Sequence, residues 1–180
     1  MGLTRRQFMV GAAAIGFARP SRASIAREVS VRELCEASDA CLVGRAQAAR
    51  SEWMKLAGAR RIVTTTRISV DEVIAGNAGR ELMVQTLGGR VGTIGQVVHG
   101  EALLLRHEPC LLFVRGRLIS YMAQGHYPLA AGSNGILELH SSPRVAELVR
   151  PSASSGIRLV GRCLDEAREL VERAFRDARR

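Results

Sequence analysis

The segment Arg61–Ile74, RIVTTTRISVDEVI, constrains the fold most, because β-branched residues crowd it and polar and apolar side chains alternate along it. β-branched side chains favour the extended, pleated backbone of a strand. Alternate positions, Val63, Thr65, Arg67, Ser69 and Asp71, would face one side, and the apolar residues would face the other. We therefore predict a long strand here, with a β-bulge near Asp71 where the alternation changes.

The rest of the chain repeats this pattern in shorter pieces separated by glycine-rich turns. Further strands are predicted over Ala40–Ala48, Glu81–Leu87, Cys110–Val114, Leu118–Gln124 and Ile136–His140. Ser51–Gly58, which contains the only tryptophan, is predicted as a loop. Five or six short strands at this spacing favour a small antiparallel barrel, because closure removes exposed sheet edges.

One helix is predicted on each side of the strands. Ser30 and Glu33 have the spacing of a capping box, which indicates a short helix within Val29–Asp39. Residues Ile157–Arg180 form an amphipathic helix whose apolar stripe consists of Leu164, Ala167, Leu170, Val171, Ala174 and Phe175. The predicted fold class is thus mainly β: a small five- to six-stranded antiparallel barrel with an N-terminal and a C-terminal helix.

The N-terminus has the pattern of a targeting signal. Thr4 is followed by the pair Arg5 and Arg6, then by Phe8 and a mildly apolar run that is too short to span a membrane. This pattern resembles a twin-arginine export signal. Cleavage is expected between Ala23 and Ser24. The resemblance implies a twin-arginine translocase and a signal peptidase as export partners, and a periplasmic or extracellular protein with no stable membrane insertion after cleavage.

These features divide the 180 residues into four parts. Residues 1–23 are the expected signal peptide, and 24–140 are expected to form the β-barrel domain with its N-terminal helix. Residues 141–156 are a linker that ends in the small-residue run PSASSG, and 157–180 form the C-terminal helix.

The charge balance argues against nucleic acid as a partner. The chain has 26 basic and 17 acidic residues and a net charge of +9, which falls to +5 when Arg5, Arg6, Arg19 and Arg22 leave with the signal. No run of Lys or Arg exceeds two residues, whereas nucleic-acid binding needs clustered cations. Aromatic residues are only 4%, which is few for a surface that stacks bases.

The four cysteines suggest disulfides in an oxidising compartment. Cys35 and Cys163 lie on the two predicted helices and are one candidate pair. Cys41 and Cys110 begin two predicted strands and are the other pair. Buried free thiols are the alternative, because the neighbours of Cys41 and Cys110 are apolar.

No motif in the sequence identifies catalytic residues, metal ligands or a cofactor site. His99 and Glu101 could reach one metal from one face of a strand, but polar loop positions are the preferred explanation for both, and no metal site is predicted. The spacing of the serines matches no nucleophile elbow. A small hydrolase is an alternative, in which His99 or His126 would meet Cys110 or a carboxylate.

The glycine-rich segment Leu87–Glu101 does not match a dinucleotide loop, because no helical pattern follows it. We interpret it as a long barrel loop with several turns of positive φ. Loops of this kind carry binding in many folds. The candidate contact residues are Arg90, Gln96 and His99.

Several of these segments together carry a resemblance to a family. They are Ser38–Ala46, Thr66–Gly76, Gly100–Glu101, Glu108 and Leu111–Val114. The pattern of residues in these segments resembles that of bacterial exported OB-like barrels, and of the netrin-like and metalloproteinase-inhibitor-like barrels. The resemblance implies a non-enzymatic binding module that contacts a protein or another envelope component. A metalloprotease-associated, inhibitor-like role is an alternative that it also implies.

Overall fold

The computed structural model describes residues 27–133, 135–147 and 158–180. Its strands are β1 Ala40–Leu56, β2 Ala59–Gly76, β3 Glu81–Leu87, β4 Gly89–Val91, β5 Ile94–Gln96, β6 Pro109–Arg115, β7 Leu118–Ile119, β8 His126–Ala131 and β9 Leu137–Leu139. The helices are α1 Val31–Glu36 and α2 Leu164–Asp177, with two short 3₁₀ turns at Met122–Gly125 and Val145–Glu147. The expected signal peptide, Ser24 and the PSASSG part of the linker lie outside the described residues.

Five strands close into a barrel in the order β1-β2-β3-β7-β6, and β6 returns to pair with β1. All pairings in this ring are antiparallel except that of β3 with β7, where Gln85 faces Leu118. This is the strand order of a five-stranded OB-like barrel. The strands β8 and β9 extend the sheet from the edge of β6. The predicted fold class is confirmed.

Two apolar cores lie on the two faces of β6, which explains why its CLLFV run is apolar throughout. Leu112 and Val114 face the barrel interior with Ile68 and Val84. Leu111 and Phe113 face the opposite core, which both helices cover. We call this second core, with α1 and α2, the helical end.

The two helices form as the sequence predicts but are shorter. Ser30 and Glu33 make the full capping box of α1. The α2 stripe packs into the helical end, where Ala167, Val171 and Phe175 are buried. Residues 158–163 are not helical, because the main chain there hydrogen-bonds to β9: the N–H of Leu139 donates to the carbonyl of Arg162 at 2.9 Å.

Salt bridges also fix α2 on the barrel. Arg168 donates from Nε and Nη2 to the two oxygens of Glu72 on β2, at 2.7 and 2.9 Å. The predicted bulge beside Glu72 is present: Val43 pairs with Glu72 and Gly44 with Val70, so Asp71 is the extra residue. The C-terminal helix is therefore docked by packing and by a bidentate ion pair.

Two predicted elements were wrong. Residues 51–58 are not a loop, since β1 and β2 stay paired as far as Leu56 and Ala59. The strand predicted over Leu118–Gln124 stops at Ile119, because Tyr121 and Met122 adopt φ of 53° and 58° and turn the chain. No helix among the described residues has the length and apolarity needed to cross a membrane.

Candidate functional site

The β1–β2 hairpin is longer than the barrel requires. The last β2–β3 pair joins Val63 to Leu87, whereas β1 and β2 pair on to Leu56 and Ala59. The glycine-rich segment packs against the part of the hairpin that projects beyond this pair. We call residues 50–62 together with residues 88–98 the arm.

The glycine-rich segment is hydrogen-bonded to the hairpin at Ile62. The N–H of Gly88 donates to the Ile62 carbonyl at 2.8 Å, and the N–H of Ile62 donates to Gln96 Oε1 at 3.0 Å. Thr64 Oγ1 donates to the Gly88 carbonyl at 2.6 Å. Both main-chain groups of Ile62 are thus bonded by the segment, which holds the β4–β5 hairpin against β2.

Gly89 shows why this contact requires glycine. Its φ is 125°, a conformation that L side chains rarely adopt. A Cβ atom at this position would also lie 2.3 Å from Thr64 Oγ1 and 2.4 Å from Ser51 Oγ. The local sequence Gly88-Gly89 therefore permits a close approach that a side chain would block.

Glu101 closes the base of the segment. Its carboxylate accepts from the N–H of Leu87 at 2.9 Å and from its neighbour Ala102 at 3.2 Å. Glu101 is buried, and this burial raises the pKa of its carboxyl group. The sequence left Glu101 as a metal candidate or a solvated turn residue, whereas the structure gives it a structural hydrogen-bonding role.

The three predicted contact residues have different positions. Arg90 is exposed on β4, and His99 is exposed in the turn before Glu101. Gln96 is half-buried, and its side-chain oxygen accepts the Ile62 hydrogen bond. Arg90 therefore lies on the arm surface, Gln96 supports it from within, and His99 lies just beyond its end.

The arm also exposes apolar side chains that sequence reasoning did not select. The exposed fractions are 36% for Trp53, 37% for Leu56, 55% for Ile94 and 66% for Val97. The guanidinium carbon of Arg60 lies 5.0 Å from the Trp53 ring centroid, a cation–π contact. The sequence signal for this surface is the mixture of basic and apolar residues between Arg50 and Arg61. The prediction of a loop in this stretch missed that signal.

Five cations lie on the same arm as these apolar side chains. Arg50, Lys55, Arg60, Arg61 and Arg90 are exposed on the arm, whose one carboxylate is Glu52. Within the part of the chain that the structure describes, no carboxylate forms a salt bridge with any of the five. The arm therefore joins positive charge and exposed apolar surface, a combination suited to an anionic partner.

The predicted disulfide pairs are wrong, since all four cysteines are free. Cys41 faces the helical end and Cys110 the barrel interior, so the sheet separates them. Cys163 precedes the first residue of α2. Arg179, whose charge acts on the Cys35 thiol, follows the C-terminal end of α2. Cys163 lies at the opposite end of this 14-residue helix, about 20 Å away.

His126 and Cys110, two of the groups considered for a hydrolase, are each bonded to a group other than one another. His126 Nδ1 lies 2.9 Å from Ser142 Oγ, and burial lowers the pKa of His126 to about 4. The Cys110 thiol donates to the Gly44 carbonyl at 3.6 Å, and burial raises its pKa to about 12. At neutral pH both groups are uncharged and bonded elsewhere, which suits packing better than nucleophilic attack.

A metal site would need several acidic, histidine or cysteine side chains at one place. In residues 27–133, 135–147 and 158–180, no three of these side chains come together as a metal site would require. Glu101, the proposed partner of His99, has its oxygens directed to main-chain N–H groups.

Comparison of the chain with family models, curated proteins and solved structures found no match.

Proposed function

We propose that this protein is an exported, non-enzymatic OB-like module that binds a protein or another component of the cell envelope through its arm. The observation that carries the proposal is the arm itself, which exposes Trp53, Leu56, Ile94 and Val97 together with five cations that have no salt-bridge partner among the described residues. Exposed apolar groups gathered at one place commonly mark an interaction site.

The fold supports the same position for the site. In OB folds the connection between the first and second strands is one of the loops that bind ligands. In this chain that connection is the tip of the β1–β2 hairpin, at Ala57 and Gly58. A fold hosts many functions, so the position of this hairpin gains its meaning from the charged and apolar side chains of the arm.

Export is the second part of the proposal, and it depends on the pair Arg5 and Arg6 with Phe8. A conservative Arg5→Lys, Arg6→Lys variant keeps the charge but removes the feature that the receptor reads. We expect the wild-type chain in the periplasmic or extracellular fraction, cleaved after Ala23, and the variant uncleaved in the cytosol. Equal export of both chains would contradict the twin-arginine assignment.

Binding through the arm is tested with washed envelope fractions and the exported, processed protein. A variant with Arg50, Lys55, Arg61 and Arg90 changed to serine should lose most of its retention on the envelope. The matched control changes four exposed arginines outside the arm, Arg106, Arg115, Arg117 and Arg173, to serine. Equal retention of the two variants would show that the arm is not the contact surface.

A metalloprotease-associated, inhibitor-like role is the narrower alternative that the netrin-like and metalloproteinase-inhibitor-like resemblance suggests. It would place the protease among the envelope partners of the arm. Inhibition assays with proteases of the same cell, using wild-type protein and the arm variant, distinguish this role from binding alone.

A further inference from the structure

We infer that the arm binds the surface of an anionic phospholipid bilayer and inserts its tip at the level of the head groups. This inference rests on the proposed function and names the envelope component. Three features of the arm favour a bilayer: the faces on which its side chains lie, its charge, and its shape.

Beyond Ser51 and Thr64, where the glycine-rich segment packs on the Trp53 face, the tip presents apolar groups on both faces of a two-stranded ribbon. Successive residues of a strand point to opposite faces. Trp53 therefore lies on one face, with Arg60 stacked on it, whereas Met54 and Leu56 lie on the other. A protein that docks on a sheet covers one face, whereas a bilayer surrounds an inserted tip and contacts both.

The cations are divided between the faces in the same way. Lys55 pairs with Arg60 on the Trp53 face, and Arg61 pairs with Met54 on the other. Lys and Arg side chains extend their alkyl stems along apolar surface and place the charge at a polar boundary. Both faces therefore combine apolar atoms with charges that would meet lipid phosphates.

The shape of the tip also favours a bilayer. Two strands lie about 4.8 Å apart, and a stable protein–protein interface buries about 800 Å² on each partner. The hairpin end, closed by Ala57 and Gly58 with φ of 48° and 81°, is a narrow convex element. Tryptophan is enriched at membrane–water interfaces, where its apolar ring and polar N–H are both accommodated.

The sequence provides the probe, because Trp53 is the only tryptophan. The exported, processed protein is mixed with vesicles of phosphatidylglycerol and phosphatidylethanolamine, and separately with neutral phosphatidylcholine vesicles. We expect the Trp53 emission to shift to the blue with the anionic vesicles only. Added salt should reverse the shift, because it screens the attraction of the cations to the lipid phosphates.

Single substitutions then locate the contact. Arg61→Ser should lower the vesicle partition coefficient about fivefold, the equivalent of about 1 kcal/mol per cation near an anionic surface. Leu56→Ser should lower it as well. The matched control is Leu118→Ser, which removes a side chain that is 60% exposed on β7 and should leave partitioning unchanged.

The outcomes separate this inference from the proposed function. An unchanged Trp53 spectrum with anionic vesicles overturns the lipid inference. If envelope retention still depends on the arm cations in that case, the arm binds an acidic protein and the proposed function holds. If retention is also independent of the arm, both fail. A shift of equal size with neutral vesicles would contradict the role of the cations.

Discussion

The arm and the helical end differ in how their side chains are used. At the helical end, Phe113, Val171 and Leu34 are fully buried, and Arg168 is paired with Glu72. On the arm, Trp53 and Ile94 are exposed, and the cations have no carboxylate partners among the described residues. One region therefore provides stability, and the other provides surface for an external partner.

The largest expected effect on stability comes from removing one aromatic ring from each of the two regions. Phe113→Ala should lower the free energy of unfolding by about 3–5 kcal/mol, because it leaves a cavity in a closed core. Trp53→Ala should lower it by about 1 kcal/mol or less, since Trp53 is partly exposed and its cation–π contact is a surface one. Urea denaturation measures both. Equal losses would mean that the arm belongs to the stability core.

The fold was largely predictable because its signals are local. β-branched alternation located β2, and the Ser30–Glu33 spacing located α1. The stripe of α2 gave the correct buried face. These patterns follow from backbone geometry and burial, which a single sequence records directly.

The site was less predictable because its contacts are between distant residues. Nothing local indicates that Gln96 bonds Ile62, or that Glu101 bonds Leu87. The arm itself was missed because Ala57 and Gly58 look like a loop, although the turn at the tip needs only these two residues. The disulfide prediction failed for the same reason, since the face on which Cys110 lies depends on register.

The second test loosens the arm without changing the helical end. Gln96→Ala leaves the Ile62 N–H without its acceptor, and an unsatisfied main-chain group costs about 1–3 kcal/mol when buried. We expect faster hydrogen exchange at the Ile62 amide and unchanged exchange in β6. The matched control is Gln85→Ala, whose side chain makes only a 3.5 Å contact with Thr65. Faster exchange throughout β6 would show that the two regions unfold together.

The third test compares a paired with an unpaired arginine. Arg168 lowers the pKa of Glu72 below its ordinary 4.5, so their interaction stabilises the fold above that pH and is lost as pH falls through the lowered value. Arg168→Ala should cost about 1 kcal/mol at pH 7 and less at pH 3. Arg61→Ala should change stability at neither pH. Urea denaturation at both pH values measures this, and a pH-independent cost for Arg168→Ala would indicate lost packing instead.

The smallest effect is a count of reactive thiols, which tests how tightly the two cores are closed. Burial raises the pKa of Cys35 and Cys110 to about 12 and that of Cys41 well above its ordinary 9.0, so these three thiols stay protonated and inaccessible. Cys163 is only half-buried, at the start of α2.

Iodoacetamide should therefore label the folded protein once, at Cys163. Without a reducing agent it should label the urea-unfolded protein four times, and mass spectrometry measures both counts. Cys163→Ser should abolish labelling of the folded protein. Only two labels after unfolding would reveal a disulfide and contradict the free thiols, because two sulfurs would then be blocked.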